Sequence, residues 1–377
     1  MEVDTELLSF SQDDQQVLAT LKHADGTTSI SSYAYLAGCD GSHSTVRHGI
    51  QSAFSGSTYE NMFYVADIEG SSELAKPGIN INITAADFVA SFAFKQPQQL
   101  RLVGITRVPD NNTKLNFTDI SQQAIQSLKL NISQVKCFST YHVHHRVADK
   151  FQQGRAFLLG DAAHIHSPVG GQGMNTGIGD AINLAWKLSQ VLTGKASAKL
   201  LDSYSLERRA FAVKLVKTTD KLFTLITSTS KLANFVRQHV FAHVAKILLA
   251  YGKIRRFMFN TVSQLHVNYR QSWLSQGVSQ QLAAGDRLPW LASINNYASL
   301  TLIDWQIHCY GTAPLLLVDW CKANAVLLHQ FAWQADFAQQ GLQADTLYLL
   351  RPDTYIALIA GHDDTAKLDH YFALLKP

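Results

Sequence analysis

Little in this chain points to a metal, a membrane or a nucleic acid. It has four cysteines among 377 residues. Cys39, Cys137, Cys309 and Cys321 stand far apart, and no two form a C-x-x-C pair. That spacing argues against a disulfide framework and against a zinc site, and it fits a reducing compartment such as the cytoplasm. No run of about 18 uninterrupted apolar residues occurs, so no membrane span is expected. The opening MEVDTELLSF carries acids and no long apolar stretch, which does not read as a signal peptide. Charge is scarce: charged residues are 16% and the net charge is +3. A balance so near neutral does not suggest a nucleic-acid partner. There is no G-x-S-x-G elbow and no Ser/His/Asp string, so hydrolase chemistry has no support. Internal repeats and low-complexity tracts are absent as well.

What remains is an apolar, globular chain. Hydrophobic residues make up 46%, and the length suffices for a sizeable core and two or three domains. Residues 1–38 read as strands, with a hairpin signal at Asp25-Gly26. Residues 51–143 continue in strand-like style, and DFVASFAFKQPQQLRLVGITRV alternates about a polar turn. GRAFLLG, ending at Gly160, is a fully buried strand candidate. Beyond it Ile178, Ala181, Ile182, Ala185, Leu188 and Leu192 share one helical face. Residues 202–270 are helical in pattern. GDRLPWL, Gly285–Leu291, opens a last unit: APLLLVDW reads as a buried strand, NAVLLHQFAWQAD as a helix, ADTLYLLRPDTYIALIAG as two strands and DTAKLDHYFALL as a closing helix.

The chemistry concentrates in GDAAHIHSPVGGQGMNTGIGDAINLAWKL, Gly160–Leu188. Asp161 stands at the carboxyl end of a buried parallel strand, where open α/β sheets bind ligands and an acid can accept hydrogen bonds from ribose-type hydroxyls. Pro168 stiffens the turn. Gly170, Gly171 and Gly173 remove side chains, so a flat ligand can approach the backbone. The helix is expected to begin near Asn175, with unpaired N–H groups and its positive dipole end facing the loop. Such an end stabilises anions, and a reduced flavin carries its charge on the N1–C2=O2 edge. A second stretch, GCDGSHSTVR at Gly38–Arg47, follows another strand end with an acid, a glycine and a helix start. Ser42 and Ser44 are both cap candidates. Arg47 projects one turn on, within reach of a phosphate or of Asp40.

These two stretches together resemble the group A FAD-dependent aromatic monooxygenases, the phenol hydroxylase and p-hydroxybenzoate hydroxylase type. HHRVADKF before the long string and LLDSYSLERRAFA after it resemble the same family. The resemblance implies that Asp161 contacts the ribityl or ribose part of FAD. Gly160 and the segment Pro168, Gly170, Gly171, Gln172, Gly173, Met174 and Asn175 would line the isoalloxazine. Asp40, Gly41 and Arg47 would serve FAD and NAD(P)H positioning. It implies an α/β (α+β) fold with an incomplete FAD-binding Rossmann-like domain over residues 1–50 and 144–200. A substrate-binding β-domain is inserted at 51–143, a helical segment spans 201–280, and a thioredoxin-like domain spans 281–377, where LYLLRPDTYIAL matches. Cys309 and Cys321 do not form that domain's redox pair, so a structural or oligomerisation role is expected there.

The family normally opens on a βαβ unit carrying G-x-G-x-x-G. No stretch here satisfies that spacing; GGQGMNTG has Thr176 where the third glycine should stand. By the resemblance MEVDTELLSF lies well inside the FAD domain, with about a hundred residues of it missing. A truncated reading frame, a deliberate fragment and a separate polypeptide supplying the unit are the accounts open.

The expected activity is hydroxylation of an aromatic, phenolic substrate with NAD(P)H and O2 through a flavin C4a-hydroperoxide. The alternative from another class is a catalytically inactive remnant acting as an interaction or structural protein. A third, within flavoenzymes, is an epoxidase or halogenase-like relative. No catalytic base is assigned. Phe88, Phe92 and Phe94 are candidates for a substrate wall, or equally for a packed sheet face. His142, His144 and His145 lack a carboxylate or cysteine to complete a metal site and read as solvated or stacking side chains. FAHVAKILLAYGKIRRFMF is apolar with a basic edge. It reads as a core or dimer-packing helix, a homodimer being compatible, with a membrane-surface helix as the other reading.

Overall fold

The computed structural model describes residues 2–72, 79–83, 88–94, 98–106, 115–120, 125–126, 128–167, 171–227 and 250–377. Four sheets organise them. The first is a meander of β1 (Glu6–Gln12), β2 (Val17–Lys22) and β3 (Thr28–Tyr33). Between β2 and β3, Asp25 Oδ1 accepts from the Thr27 amide at 2.9 Å and Gly26 takes a φ of +81°. This is the hairpin expected at that dipeptide.

The second sheet is small. β4 (Leu36–Gly38) runs parallel to β11 (Ala156–Leu158), with β10 (Gln152–Gln153) antiparallel on the outer side. All three residues of β11 are buried, as a short apolar run in a parallel sheet requires. The end of β4 presses on α1 (Thr45–Gly49): a Cβ on Gly38 would stand 2.6 Å from Val46 Cβ, so only glycine permits the approach.

The third sheet has the order β12 (His164–Ile165), β9 (Leu130–Ala148), β5 (Phe54–Ser72), β8 (Gln99–Thr106), β7 (Phe88–Ala93) and β6 (Ile79–Ile83), antiparallel throughout. Its two-residue period feeds two cores. Tyr64, Ile68, Val89 and Leu102 pack on one side, and Phe63, Ile105 and Val143 pack on the other against Phe223.

Three helices follow: α2 (Gly173–Leu192), α3 (Asp202–Thr227) and α4 (Gly252–Val262). α2 departs from expectation. Its apolar stripe faces outward, with Ile178 49%, Ile182 53% and Leu192 60% exposed. The inward stripe is Thr176, Asp180, Asn183 and Lys187, all buried. Buried partners for these polar groups, described below, outweigh the usual preference for apolar contact. α4 has no buried residue. The core-helix reading of Phe241–Phe259 therefore does not hold for its described part; residues 241–249 lie outside the described ones.

The last unit is a mixed sheet in the order β14 (Leu327–Phe331), β13 (Gln306–Tyr310), β15 (Thr346–Leu350) and β16 (Ile356–Gly361). β13 and β14 are parallel, and the other pairs are antiparallel. Flanking helices are α5 (Leu315–Ala323), α6 (Ala335–Gln339) and α7 (Thr365–Ala373). The expected pair of strands about Pro352-Asp353 and the closing helix are present, but two expectations exchange places. APLLLVDW is helix α5, because only Leu317 and Cys321, one turn apart, are buried while Leu315 is 80% exposed. NAVLLHQF supplies β14, paired in register with β13. A short apolar run does not distinguish the two periods by itself.

Candidate functional site

β4 and β11 are hydrogen-bonded neighbours with Gly38 opposite Leu158, and the Leu159 amide donates to the Gly38 carbonyl at 3.0 Å. The chain therefore brings the two sequence-distant motifs to one sheet edge, each just past a strand's carboxyl end. Asp40 and Asp161 are both exposed there. Asp161 is thus not buried as its surroundings in the sequence suggest. It sits in a 3-10 turn, Gly160–Ala162, and accepts no hydrogen bond from a described residue. Asp40 Oδ2 accepts from the Val46 amide at 3.1 Å, steadying the start of α1. Ser44, not Ser42, is the cap: its Oγ accepts from the Arg47 amide at 2.9 Å. Gly41 takes a φ of +76° beside open space.

Arg47 does not project toward solvent. Its side chain is buried, stacks over Phe54 at 4.1 Å, and donates Nη1 to the Ala162 carbonyl at 3.1 Å and Nη2 to the Ser42 carbonyl at 2.8 Å. It ties one motif to the other. Nη1 and Nη2 are taken up by these carbonyls, while the buried Nε has no partner among the described residues.

Pro168 and Gly170 lie outside the described residues. Gly171 has a φ of +62° with nothing within 4 Å of where a Cβ would stand. Backbone conformation requires glycine there and leaves open space beside it. α2 begins at Gly173, two residues ahead of Asn175. Gln172 precedes it without a side-chain cap bond, and no acid occupies the first turn. Gly173, Met174 and Asn175 are exposed. The amide end of a twenty-residue helix is thus presented with its dipole uncompensated. His166 donates its Nδ1–H to the Ser167 carbonyl at 2.8 Å, while its buried Nε2 has no partner among the described residues and lies 3.8 Å from a Cβ built on Gly173. Burial holds the His166 imidazole below its ordinary pKa.

Behind the rim lies a polar layer that the sequence reading did not identify. Asp180, fully buried, accepts from the Gly160 amide at 3.0 Å and from Arg208 Nε at 2.6 Å, and His164 Nε2 lies 2.7 Å away. Burial alone would raise the Asp180 carboxyl, but Arg208 and His164 hold it below its ordinary value. Arg208 also donates to the Thr176 carbonyl at 3.0 Å, and Gln264 Nε2 donates to Thr176 Oγ1 at 2.7 Å. The signal was available: Thr176, Asp180, Asn183 and Lys187 recur at helical spacing as a second, polar stripe.

The sheet face turned to α3 carries rings. Tyr59 lies 4.0 Å from Phe223 between centroids and donates its hydroxyl to Asp220 at 2.8 Å, and Phe63 stacks between Tyr141 and Phe223. Phe88 packs on this side, whereas Phe94 is 44% exposed under Arg101. His144 and His145 bond Thr58 and Ser57, and Tyr59 lies against the His145 ring at 4.7 Å. Among the described residues no group of three metal-ligating side chains occurs. A cleft of about 760 Å³ opens between α3 and α4, walled by Leu206, Phe211, Leu215, Phe257 and Met258 and reaching Gln172 of the rim.

The edge therefore offers two exposed carboxylates, open backbone at Gly171 and a helix start without a side-chain cap. That donor set suits a planar ligand with a polyol arm and an anionic edge. Known proteins agree. The family described as FAD binding domain matches residues 1–219. The chain is 31% identical over 244 residues to pentachlorophenol 4-monooxygenase of Sphingobium chlorophenolicum, covering 60% of this chain and 43% of that one. It is 34% identical over 238 residues to a 3-(3-hydroxy-phenyl)propionate/3-hydroxycinnamic acid hydroxylase of Comamonas testosteroni, covering 62% and 40%. With rifampicin monooxygenase of Rhodococcus hoagii it shares 32% over 270 residues, covering 70% and 54%. The chain thus spans roughly half the length of these relatives, or less. Among solved structures, the anhydrotetracycline hydroxylase OxyS of Streptomyces rimosus superposes with a TM-score of 0.76 at 25% identity, over 98% of this chain and 74% of that one. CabE, an aromatic hydroxylase from angucycline biosynthesis, has the same fold, with a TM-score of 0.75 at 24% identity over 99% and 76%. By its matched length and by these relatives, the chain belongs to the FAD-binding family of the FAD-dependent aromatic monooxygenases.

Proposed function

We propose that the protein is a hydroxylase of a phenolic substrate that uses FAD, NAD(P)H and O2. The observation that carries this reading is the convergence of Asp40 and Asp161 at adjoining parallel strand ends beside the open start of α2. When bound, the flavin supplies hydride acceptance and oxygen activation. In this reading Asp161 and Asp40 accept hydrogen bonds from the ribityl and ribose hydroxyls. The amides of Gly173, Met174 and Asn175, which have no partner among the described residues, face the electron-accepting edge, where they stabilise negative charge. Gly171, with open space beside its backbone, leaves room for the ring. Gly160, Gly41 and Arg47 shape the rim. The cleft between α3 and α4 that reaches Gln172, walled by Leu206, Phe211, Leu215, Phe257 and Met258, offers a largely apolar space for a substrate ring. The four free cysteines fit a reducing, cytoplasmic setting.

The test uses the purified chain with FAD, NADPH or NADH and a panel of phenols under air. Phenol-stimulated consumption of the reduced nicotinamide with formation of an oxygenated product is the expected result. Flavin that binds but is never reduced in the presence of any phenol would overturn it.

One observation favours the second reading, an inactive partner-binding protein. The apolar stripe of α2 is exposed at Met174, Ile178 and Ile182, and such stripes mark association surfaces. A chain that neither retains FAD nor consumes NAD(P)H, yet self-associates or captures a partner through this stripe, fits that reading.

A further inference from the structure

The C-terminal unit meets α2 and α3 through buried charge. The Glu207 carboxylate of α3 accepts from five donors. Arg351 Nη1 and Nη2 lie at 2.6 and 2.9 Å, Lys187 Nζ at 2.8 Å, Asn183 Nδ2 at 2.7 Å and Ser272 Oγ at 2.7 Å. Arg351 donates in turn to both oxygens of Asp353, at 2.9 and 2.6 Å. The side chains of Lys187, Glu207 and Arg351 are fully buried. The next residue of α3, Arg208, turns the other way, toward Asp180 and the Thr176 carbonyl at the rim. Two adjacent residues of one helix therefore join the C-terminal unit to the rim.

Buried ion pairs gain little net stability over apolar packing of the same volume, so their presence needs another reason. Apolar surfaces tolerate sliding, whereas a bidentate guanidinium–carboxylate pair accepts one geometry. A slip of α3 along α2 would break the contacts of Glu207 and Arg208 at once. Cys309 and Cys321 are buried without a pairing partner, so this unit offers no thiol chemistry that would account for its attachment.

We propose that the C-terminal unit is a registry clamp for the flavin rim. Arg351 and Asp353 fix α3 against α2, and through Arg208 and Asp180 this fixes Gly160, Ala163 and the first turn of α2. Arg351 and Asp353 are then positioning residues for the cofactor. Only this last step rests on the flavin reading above.

The experiment compares the full chain with Arg351→Lys, Asp353→Asn and a control, Leu368→Ala. The control lies in the core of the same unit and outside the network. Hydrogen exchange of the peptide spanning residues 159–177 is followed by mass spectrometry, without flavin, well below each variant's melting point. Exchange at the Gly160, Ala163 and Thr176 amides is expected to rise about tenfold in the network variants and to stay within about twofold in the control. Rim exchange unchanged in both network variants, or raised equally by Leu368→Ala, overturns the clamp. If Arg351→Lys does not fold, Asp353→Asn decides, since it leaves the Glu207–Arg351 pair in place. Titration with FAD, followed by flavin fluorescence, separates the two ideas. A dissociation constant about tenfold weaker in the network variants supports both. Raised rim exchange in a protein that binds no FAD even as wild type keeps the clamp and removes the flavin reading.

Discussion

The C-terminal sheet unit and the two-motif unit are built on opposite plans. The former packs apolar clusters on both faces of its sheet, and its buried charges, Arg351 and Asp353, stand where it meets α2 and α3. Ile307, Leu347, Leu349, Leu368 and Tyr371 are buried on one side, and Tyr310, Phe337, Tyr348 and Ile356 on the other. The latter has a three-stranded sheet of very short strands, and its main helix turns charge inward and isoleucine outward. Where an interior serves packing alone, it is apolar. A unit that has to hold a polar ligand spends its interior on groups that aim other groups, and its stability then depends on every pair being complete.

The sharpest way to break this comparison is Glu207→Ala. It leaves Lys187 buried without its counter-ion and Arg351 with Asp353 alone, and a loss of about 3–5 kcal/mol in urea unfolding is expected. Lys187 is already strained in this sense: burial pushes it down to about 8 despite the opposing pull of Glu207. Next, Leu349→Ala in the sheet core should cost about 2–5 kcal/mol. Ile182→Ala, on the exposed stripe of α2, should stay within about 0.5 kcal/mol. Equal losses at the two positions would mean that the stripe is covered in solution.

A third contrast is pH. His308 is fully buried between the Ser299 hydroxyl and the Tyr310 hydroxyl, and burial, with His329 nearby, pushes its pKa down to about 3. The unfolded chain takes up a proton near pH 6.5 that the folded one refuses, so stability falls as the pH drops from 6.5 toward 3. About 2 kcal/mol should be lost by pH 5, and urea midpoints of His308→Gln should show a flatter profile over that range. A smaller effect than the core changes is local: Ser44→Ala, which removes the cap of α1, should cost about 1 kcal/mol in the same assay.

Much of the two-motif edge was legible because its requirements are local. Strand, acid, glycine and helix start follow one another within a few residues, and Gly171 and Asp161 could be named from that order alone. What escaped needed distant partners. The inward stripe of α2 makes sense only beside Glu207, Arg208 and Arg351, which come from two later segments. Ile178, Ile182 and Leu192 do share one helical face, but that face is exposed, because those partners decide which side of α2 is buried. Likewise Arg47 is a reasonable phosphate ligand by spacing, and only the arrival of Ala162 beside it explains where its protons go. In the last unit the run at Leu315–Val318 misled, since burial of Leu317 and Cys321 at helical spacing outweighed its apolar continuity.

The single guanidinium of Arg47 reaches across 115 residues of sequence to the Ala162 carbonyl. Together with the β4–β11 pairing, this bond ties the two halves of the pocket edge to each other. Any molecule seated against one of them is felt by the other as a rigid displacement, so a spectroscopic probe at exposed Cys39 should report on a ligand resting at Asp161.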